Sequence, residues 1–247
     1  MNYAYAAVAV VLCAGQLSAA EITVSAAASL KEAFGEIAAQ YQRQYPHSKV
    51  RLNTAGSGAL LQQLLQGAPV DVVAFADEET MNRAVGGKAV DAATRKIFAT
   101  NTLVVAAPHN SKPGLGRLND LADARFKRIA IGNPQSVPAG RYAQAALEKA
   151  GLWVGLRLKV ITTQNVRQSL DYIARGEVDA GLVYRTDALL MKDKVKILST
   201  VNTVKPVAYP IAVVSASRQK AEAAQFVRYV LSAQGRAVLS KYGFKQP

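Results

Sequence analysis

Along the first half of the chain, short apolar runs alternate with segments whose apolar residues recur every three or four positions. Short runs predict strands, and the longer periodic segments predict amphipathic helices. The predicted strands of this first series are residues 22–25, 50–53 and 70–75. Each is followed by a predicted helix, the last of which begins after Asp77, a residue type that caps helix N-termini. This β-α-β-α-β-α order favours a parallel sheet with helices on its faces.

A second series with the same order begins at residue 103. It contains predicted strands at residues 103–106, 128–131, 158–161 and 180–184, and predicted helices at residues 140–150 and 166–174. Gly151 and Gly176 follow the two helices, where glycine commonly ends a helix. A last apolar run, residues 207–214, can lead the chain back to the first unit, and one more amphipathic helix follows it.

The pattern predicts an α/β fold with two lobes, each a mostly parallel sheet flanked by helices. We assign residues 21–104 and 209–247 to lobe 1 and residues 105–208 to lobe 2. Two extended segments, near residues 102–106 and 207–212, would connect the lobes. A cleft between lobes connected in this way can close like a hinge, and loops at the carboxyl ends of the strands would line it.

Residues 1–20 predict a secretory signal peptide. They carry no charged side chain, and the apolar run of residues 6–12 is followed by Ser18-Ala19-Ala20, a small-residue cleavage site. No run in the chain reaches the ~20 apolar residues that span a bilayer, so we expect an exported, soluble product. Cys13 is the single cysteine. The mature chain therefore has no disulfide, no catalytic cysteine and no cysteine-bound metal.

The net charge of +13 is unevenly distributed. Lys and Arg outnumber Asp and Glu by 16 to 8 in residues 105–208 and by 6 to 1 in residues 209–247, whereas residues 21–104 carry eight of each. Such charge solvates the surface and can also steer anions. The cationic residues are scattered singly without an aromatic platform, and together with the export signal this argues against nucleic acid as a partner.

Residues 132–142 combine the features of an anion-binding helix start. A short apolar strand precedes them, residues 132–134 favour a turn, and Pro138 suits the first position of a helix. The backbone N–H groups of Ala139 and Gly140 then have no acceptor within the helix and lie at the positive end of its dipole. Either water or a bound anion can occupy this position.

Other strand-to-helix junctions have a similar form. Ser29 and Ser57 each place a hydroxyl near the start of a helix, and the glycines that flank Ser57 allow backbone to approach a ligand closely. A serine at this position also commonly caps its own helix. Asn165 is a candidate cap that makes the N–H of Val166 an early donor. Tyr184 ends a predicted strand, where a tyrosine is commonly half-buried with its hydroxyl in water.

Five motifs occur in order at residues 26–30, 55–60, 133–140, 165–167 and 183–188. They include Ala-Ala-Ala-Ser-Leu, Ala-Gly-Ser-Gly-Ala-Leu and Val-Pro-Ala-Gly. In this order they resemble the motifs of periplasmic molybdate-binding proteins, and the resemblance extends to residues 71–77 and 241–244. It implies a type II periplasmic binding protein that serves an ABC importer for molybdate, with tungstate as a close mimic.

The same resemblance implies an oxyanion held by hydroxyl and backbone N–H groups without a charged side chain. The matching positions are Ser29 and Ser57 from lobe 1, and Ala139, Val166 and Tyr184 from lobe 2. Ala139 and Val166 would donate backbone N–H groups and Tyr184 its hydroxyl. It also implies a monomer without a cofactor, with no direct protein ligand to molybdenum and with a membrane permease as partner.

Three alternatives stand beside this interpretation. Ser57 lies in a distant form of the nucleophile motif of serine hydrolases, whose base would have to be His109. A histidine metal site lacks ligands, because His47 and His109 are the only two histidines. The third alternative keeps the binding fold with sulfate, phosphate or another oxyanion as ligand. Arg141 and Arg167 lie close enough to clamp such a ligand, but we predict that they are solvated helix surface.

Overall fold

The computed structural model describes residues 20–111 and 117–247. The predicted signal peptide therefore lies outside the described residues, except for Ala20, which begins the first strand. The strands are β1 (Ala20–Ala27), β2 (Ser48–Ala55), β3 (Val72–Ala74), β4 (Lys96–Asn101), β5 (Leu103–Pro108), β6 (Ile129–Gly132), β7 (Val160–Thr163), β8 (Ala180–Tyr184), β9 (Val195–Thr200) and β10 (Val207–Val213).

The α-helices are α1 (Lys31–Gln44), α2 (Ser57–Leu65), α3 (Glu78–Gly86), α4 (Pro138–Lys149), α5 (Trp153–Leu156), α6 (Val166–Ala174), α7 (Arg185–Leu190), α8 (Lys220–Leu231) and α9 (Ala233–Lys241). A 3₁₀ turn at Ala28–Leu30 precedes α1. None of the described helices is both long and apolar enough to cross a membrane.

The strands form two five-stranded sheets of the same design. The first has the order β2-β1-β3-β10-β4 and the second the order β7-β6-β8-β5-β9. In each sheet three neighbouring strands are parallel, and the fourth runs antiparallel to its neighbours. The predicted α/β class is confirmed, and the sheets are mixed because the connecting segments add antiparallel strands.

Those antiparallel strands are where the chain passes between the sheets. After β4 in the first sheet, Thr102 leads directly into β5 of the second, and after β9 the chain returns through residues 201–206 to β10. The helices α8 and α9 then pack on α1 of the first lobe. Each lobe consists here of one sheet and the helices packed against it.

Local signals decide where the helices begin and end. The Asp77 side chain accepts the N–H of Thr80 at 3.0 Å, and the Asn165 side chain accepts the N–H of Gln168 at 3.0 Å, so both are the predicted caps. Gly151 and Gly176 have φ values of 70° and 69°, the left-handed conformation that terminates α4 and α6.

Several elements differ from the sequence prediction. The strand predicted at residues 158–161 begins later, at Val160, because Arg157–Lys159 forms a 3₁₀ turn that leaves the Leu158 side chain exposed. The apolar pattern also did not predict β4, β9, α5, α7 and α9. The strands β4 and β9 lie at the edges of their sheets, where fewer side chains are buried.

Close packing of α4 on β6 positions the helix start singled out in the sequence. Pro138 is the first residue of α4, as predicted. A Cβ atom at Gly140 would overlap the carbonyl oxygen of Gly132, and one at Gly132 would lie 2.8 Å from Cβ of Val137. Glycine at both positions lets the first turn of α4 lie directly against the end of β6.

We expect Gly140→Ala to lower the free energy of unfolding by about 1–3 kcal/mol, the usual cost of overpacking. Urea unfolding followed by circular dichroism measures this change. Gly35→Ala is the matched control, because Gly35 lies inside α1 with no atom near its Cβ position. The control should be about 0.5–1 kcal/mol more stable than the parent, and an equal loss in both variants would contradict the packing argument.

Candidate functional site

A small cavity lies between the two lobes. All five residues predicted from the sequence line it, namely Ser29, Ser57, Ala139, Val166 and Tyr184. No charged side chain is among the described residues that line this cavity. The predicted positions are therefore brought together, although they are spread over more than 150 residues of the chain.

Three helix N-termini converge on the cavity. Ser57 is the first residue of α2, Val166 is the first residue of α6, and Ala139 is the second residue of α4. Backbone N–H groups in the first turn of a helix have no intrahelical acceptor and carry the positive end of the helix dipole. The cavity is thus electropositive without a charged side chain.

The Ser57 hydroxyl does not cap its own helix. Its oxygen accepts the backbone N–H of Ala76 at 3.1 Å, and the residue is buried. A backbone N–H can only donate, so this bond does not use the proton of Ser57, which remains available. This hydroxyl is consequently a donor toward the cavity.

The Ser29 hydroxyl also has a partner that the sequence pattern did not indicate. It lies 3.1 Å from the hydroxyl oxygen of Tyr209, a fully buried residue of β10. Tyr209 is 180 positions away in the sequence and sits within an apolar run, so its only local signal was that of a core residue.

Tyr184 is held at both ends. Its backbone N–H donates to the Asp187 carboxylate at 3.2 Å, and its hydroxyl donates to the carbonyl oxygen of Ala76 at 3.5 Å, a long contact. Contrary to the half-buried position expected from the sequence, Tyr184 is 1% exposed. Burial raises the pKa of its hydroxyl well above the usual value, so the group keeps its single proton, which points to Ala76 in this long contact.

The prediction that Arg167 is solvated helix surface is wrong. Its guanidinium crosses to lobe 1, where it lies 2.6 Å from the Glu32 carboxylate and 3.2 Å from the carbonyl oxygen of Ser29. Its Nε is also 2.8 Å from Oδ1 of Asp187, without good hydrogen-bond geometry. Burial raises the pKa of Asp187 to about 6, while the charge of Arg167 opposes that rise.

Arg141 is likewise not solvated helix surface. From α4 of lobe 2 it reaches α3 of lobe 1, where its Nη2 lies 2.6 Å from Oδ2 of Asp77 and 2.7 Å from the Thr80 hydroxyl. The Arg141 and Asp77 side chains are only 15% and 6% exposed. Both arginines therefore neutralise carboxylates of the opposite lobe and hold the lobes together beside the cavity.

The glycines that flank Ser57 serve the contact between the lobes. The N–H of Gly58 donates to the carbonyl oxygen of Ser136 at 2.9 Å. A Cβ at Gly58 would lie 2.8 Å from Cα of Ser136 and closer still to its carbonyl oxygen. A Cβ at Gly56 would lie 2.7 Å from the carbonyl oxygen of Gln164. The sequence analysis expected these glycines to let a ligand approach the backbone closely. In the structure they let the backbone of lobe 2 approach the backbone of lobe 1.

A hydrolase arrangement is absent from this site. His109 follows β5 and is not among the described residues that line the cavity. In the described part of the chain, no three His, Cys, Asp or Glu side chains are grouped so that they could hold a metal ion.

The chain is similar to known solute-binding proteins over nearly its whole length. Residues 22–245 match the family described as bacterial extracellular solute-binding protein. The molybdate-binding protein ModA of Escherichia coli is 37% identical over 230 residues, which cover 91% of this chain and 88% of that protein.

Solved structures of the same fold include the periplasmic molybdate-binding protein of Azotobacter vinelandii, with a TM-score of 0.80 and 25% identity, covering 92% of this chain and 99% of that one. The sulfate-binding protein SubI of Mycobacterium tuberculosis has a TM-score of 0.83 at 17% identity, covering 92% and 87% of the two chains. The similarity to SubI shows the fold alone.

We expect Gly58→Ala to prevent full closure, because its Cβ would collide with Ser136 of the opposite lobe. Affinity for molybdate, measured by titration calorimetry, should fall at least about tenfold, or 1.4 kcal/mol. The unliganded protein should unfold at nearly the parent temperature. Gly86→Ala is the control, since no atom lies near its Cβ position. Unchanged affinity in Gly58→Ala would show that, with molybdate bound, the lobes are further apart at Gly58 and Ser136 than in this structure.

We expect Asp77→Asn to weaken molybdate binding by about 1.5 kcal/mol, the lower value for a hydrogen bond to a charged group. Asparagine can still cap α3, so the loss is confined to the ion pair with Arg141. Stopped-flow measurement should place most of the change in the dissociation rate. Glu79→Gln is the control, because its carboxylate is 3.8 Å from Arg141 and 64% exposed. Equal effects of both substitutions would argue against a contact that specifically stabilises closure.

Proposed function

We propose that this chain, which belongs to the bacterial extracellular solute-binding protein family, binds molybdate between its lobes and delivers it to an ABC-type membrane importer. It is a binding protein and not an enzyme, and molybdate is its ligand rather than a cofactor. The observation that carries the proposal is the uncharged, donor-rich cavity to which both lobes contribute.

Five donors are proposed to hold the oxyanion. They are the hydroxyls of Ser29, Ser57 and Tyr184 and the backbone N–H groups of Ala139 and Val166. Tyr184 would turn its single proton from the long contact with Ala76 to the ligand. Each helix dipole contributes about 0.3–1 kcal/mol at an exposed site and up to about 2 kcal/mol when partly buried. Hydrogen bonds to a charged group contribute about 1.5–3 kcal/mol each. A dianion can therefore be bound without a cationic side chain.

The same donors account for discrimination among oxyanions. A fully deprotonated oxyanion accepts from every donor, whereas a protonated phosphate brings an O–H group that finds no acceptor. Sulfate carries no such proton, so its exclusion has to come from the size of the cavity. Tungstate has the same charge and shape as molybdate, and we propose that it binds as a close mimic.

Ligand binding is proposed to favour the closed state. Residues 21–104 and 209–247 would move as one lobe and residues 105–208 as the other, about the crossings that precede β5 and β10. Because donors come from both lobes, an oxyanion binds the closed state better and shifts the population toward it. The importer can then distinguish the loaded protein from the empty one.

The family and the N-terminal sequence support a location outside the cytoplasm. Members of this family are extracellular solute-binding proteins. We propose that residues 1–20 direct export to the periplasm, where the mature chain acts as a monomer and contacts the membrane permease of its importer.

Titration calorimetry with molybdate, tungstate and sulfate tests the proposed function. Molybdate and tungstate should bind tightly with one site per chain, and sulfate should bind far more weakly because the larger anions fit the cavity better. Phosphate at mildly alkaline pH serves as the proton-bearing comparison. Sulfate affinity equal to that of molybdate would refute the assignment to molybdate.

We expect Tyr184→Phe to weaken molybdate binding by about 0.5–3 kcal/mol, because it removes one hydrogen bond to a charged ligand. The fold should be unaffected, as judged by circular dichroism. Tyr229→Phe is a suitable control, since the Tyr229 hydroxyl contacts Gln40 at 3.4 Å and is not among the cavity-lining residues. If Tyr184→Phe binds molybdate as well as the parent does, Tyr184 is not a ligand residue.

A further inference from the structure

We propose that Asn101 and Tyr209 are positioning residues that force the Ser29 hydroxyl to donate into the cavity, and that they thereby select oxyanions without a proton. This inference rests on the proposed function and adds two residues to it. Neither residue is among those that line the cavity. They act through Ser29.

The orientation of the Asn101 amide is determined by its neighbours. Its Oδ1 accepts the backbone N–H of Thr102 at 2.8 Å. Its Nδ2 lies 2.9 Å from the Thr186 hydroxyl and 3.3 Å from the Tyr209 hydroxyl. Because a backbone N–H can only donate, the amide oxygen has to face Thr102. The Asn101 NH₂ group therefore donates to Tyr209.

This donor settles the direction of the next hydrogen bond. Tyr209 is fully buried, and burial together with the charge of Asp187 raises the pKa of its hydroxyl, so the proton is retained. Asn101 Nδ2 cannot accept that proton. Among the described residues, the acceptor within hydrogen-bond distance is the Ser29 oxygen, 3.1 Å away. The Tyr209 hydroxyl therefore donates to Ser29.

The proton of Ser29 is consequently not used in the bond with Tyr209. The Ser29 oxygen accepts from Tyr209, and the Ser29 proton is directed elsewhere, although the residue is only 3% exposed. The free direction is the cavity that it lines. Ser57 is treated in the same way by the N–H of Ala76. Other groups of the protein thus donate to both serine oxygens and leave both serine protons free to point into the cavity.

The polarising residues lie where the lobes are joined. Asn101 is the last residue of β4, before the first crossing, and Tyr209 lies in β10, after the second. The second hydrogen of the Asn101 amide reaches Thr186 at the start of α7 in lobe 2. The hydrogen-bond chain is therefore anchored in both lobes, which keeps the direction of the Ser29 hydroxyl constant.

Hydrogen phosphate and molybdate separate this effect from charge. At mildly alkaline pH both are dianions, but only phosphate carries an O–H group. Sulfate, a dianion without a proton and smaller than molybdate, separates the effect from cavity size. If the Ser29 hydroxyl is no longer forced to donate, the relative affinity for phosphate alone should rise. A wider or looser cavity should instead change the relative affinities for sulfate and phosphate together.

The test measures molybdate binding by calorimetry and its displacement by phosphate or sulfate, in the full mature chain. Tyr209→Phe should lower the ratio of molybdate to phosphate affinity at least about tenfold and leave the molybdate-to-sulfate ratio unchanged. Asn101→Asp should lower the molybdate-to-phosphate ratio further. A carboxylate at this position accepts the proton of Tyr209, so the Tyr209 oxygen accepts from Ser29 and the Ser29 proton points away from the cavity. Tyr229→Phe is the control and should change neither ratio, because the Tyr229 hydroxyl that it removes bonds to Gln40.

A double substitution shows whether Tyr209 acts through Ser29. In a Ser29→Ala background, Tyr209→Phe should no longer change the molybdate-to-phosphate ratio. The inference is overturned if that ratio is unchanged in both single variants, if phosphate and sulfate gain together, or if the effect persists without Ser29. Failure of the parent protein to bind molybdate would instead refute the proposed function on which the inference rests.

Discussion

The structure depends on one constraint, namely buried hydrogen-bond donors that have no acceptor among the described residues. The N–H groups of Ala139 and Val166 lie at the starts of helices, and the Ser57 hydroxyl accepts from the N–H of Ala76. By our inference the Ser29 hydroxyl likewise accepts from Tyr209. A buried donor left unsatisfied costs about 1–3 kcal/mol. When several such donors line one cavity, a ligand that only accepts hydrogen bonds satisfies all of them. The packing of the two lobes brings the donors together at this cavity.

The charged residues near the site act on the lobes rather than on the ligand. Arg141 pairs with Asp77, and Arg167 pairs with Glu32. Arg167 also contacts Asp187. Each guanidinium is therefore neutralised by carboxylates, and neither arginine lines the cavity. The cavity can then distinguish oxyanions by the direction of hydrogen bonds and by size. A cationic side chain inside it would attract phosphate and sulfate as readily as molybdate.

Much of the fold follows from local patterns. The apolar periodicity predicted α6 and β8 with their observed bounds, and the helix caps at Asp77 and Asn165 were visible as residue types. The strands β4 and β9 were missed because edge strands bury only part of their side chains. Their alternation is therefore weak, and their place is set by the neighbouring strand.

The sequence by itself determined the helix starts at Asp77, Pro138 and Asn165 and the residue types that line the cavity, since caps, turns and early N–H donors depend on a few consecutive residues. Only the tertiary structure decided what stands behind them. Tyr209 meets Ser29 across 180 positions, and Arg167 meets Glu32 across 135. Nothing local distinguishes Tyr209 from an ordinary core tyrosine, because its polar partner exists only when both crossings and both sheets have packed.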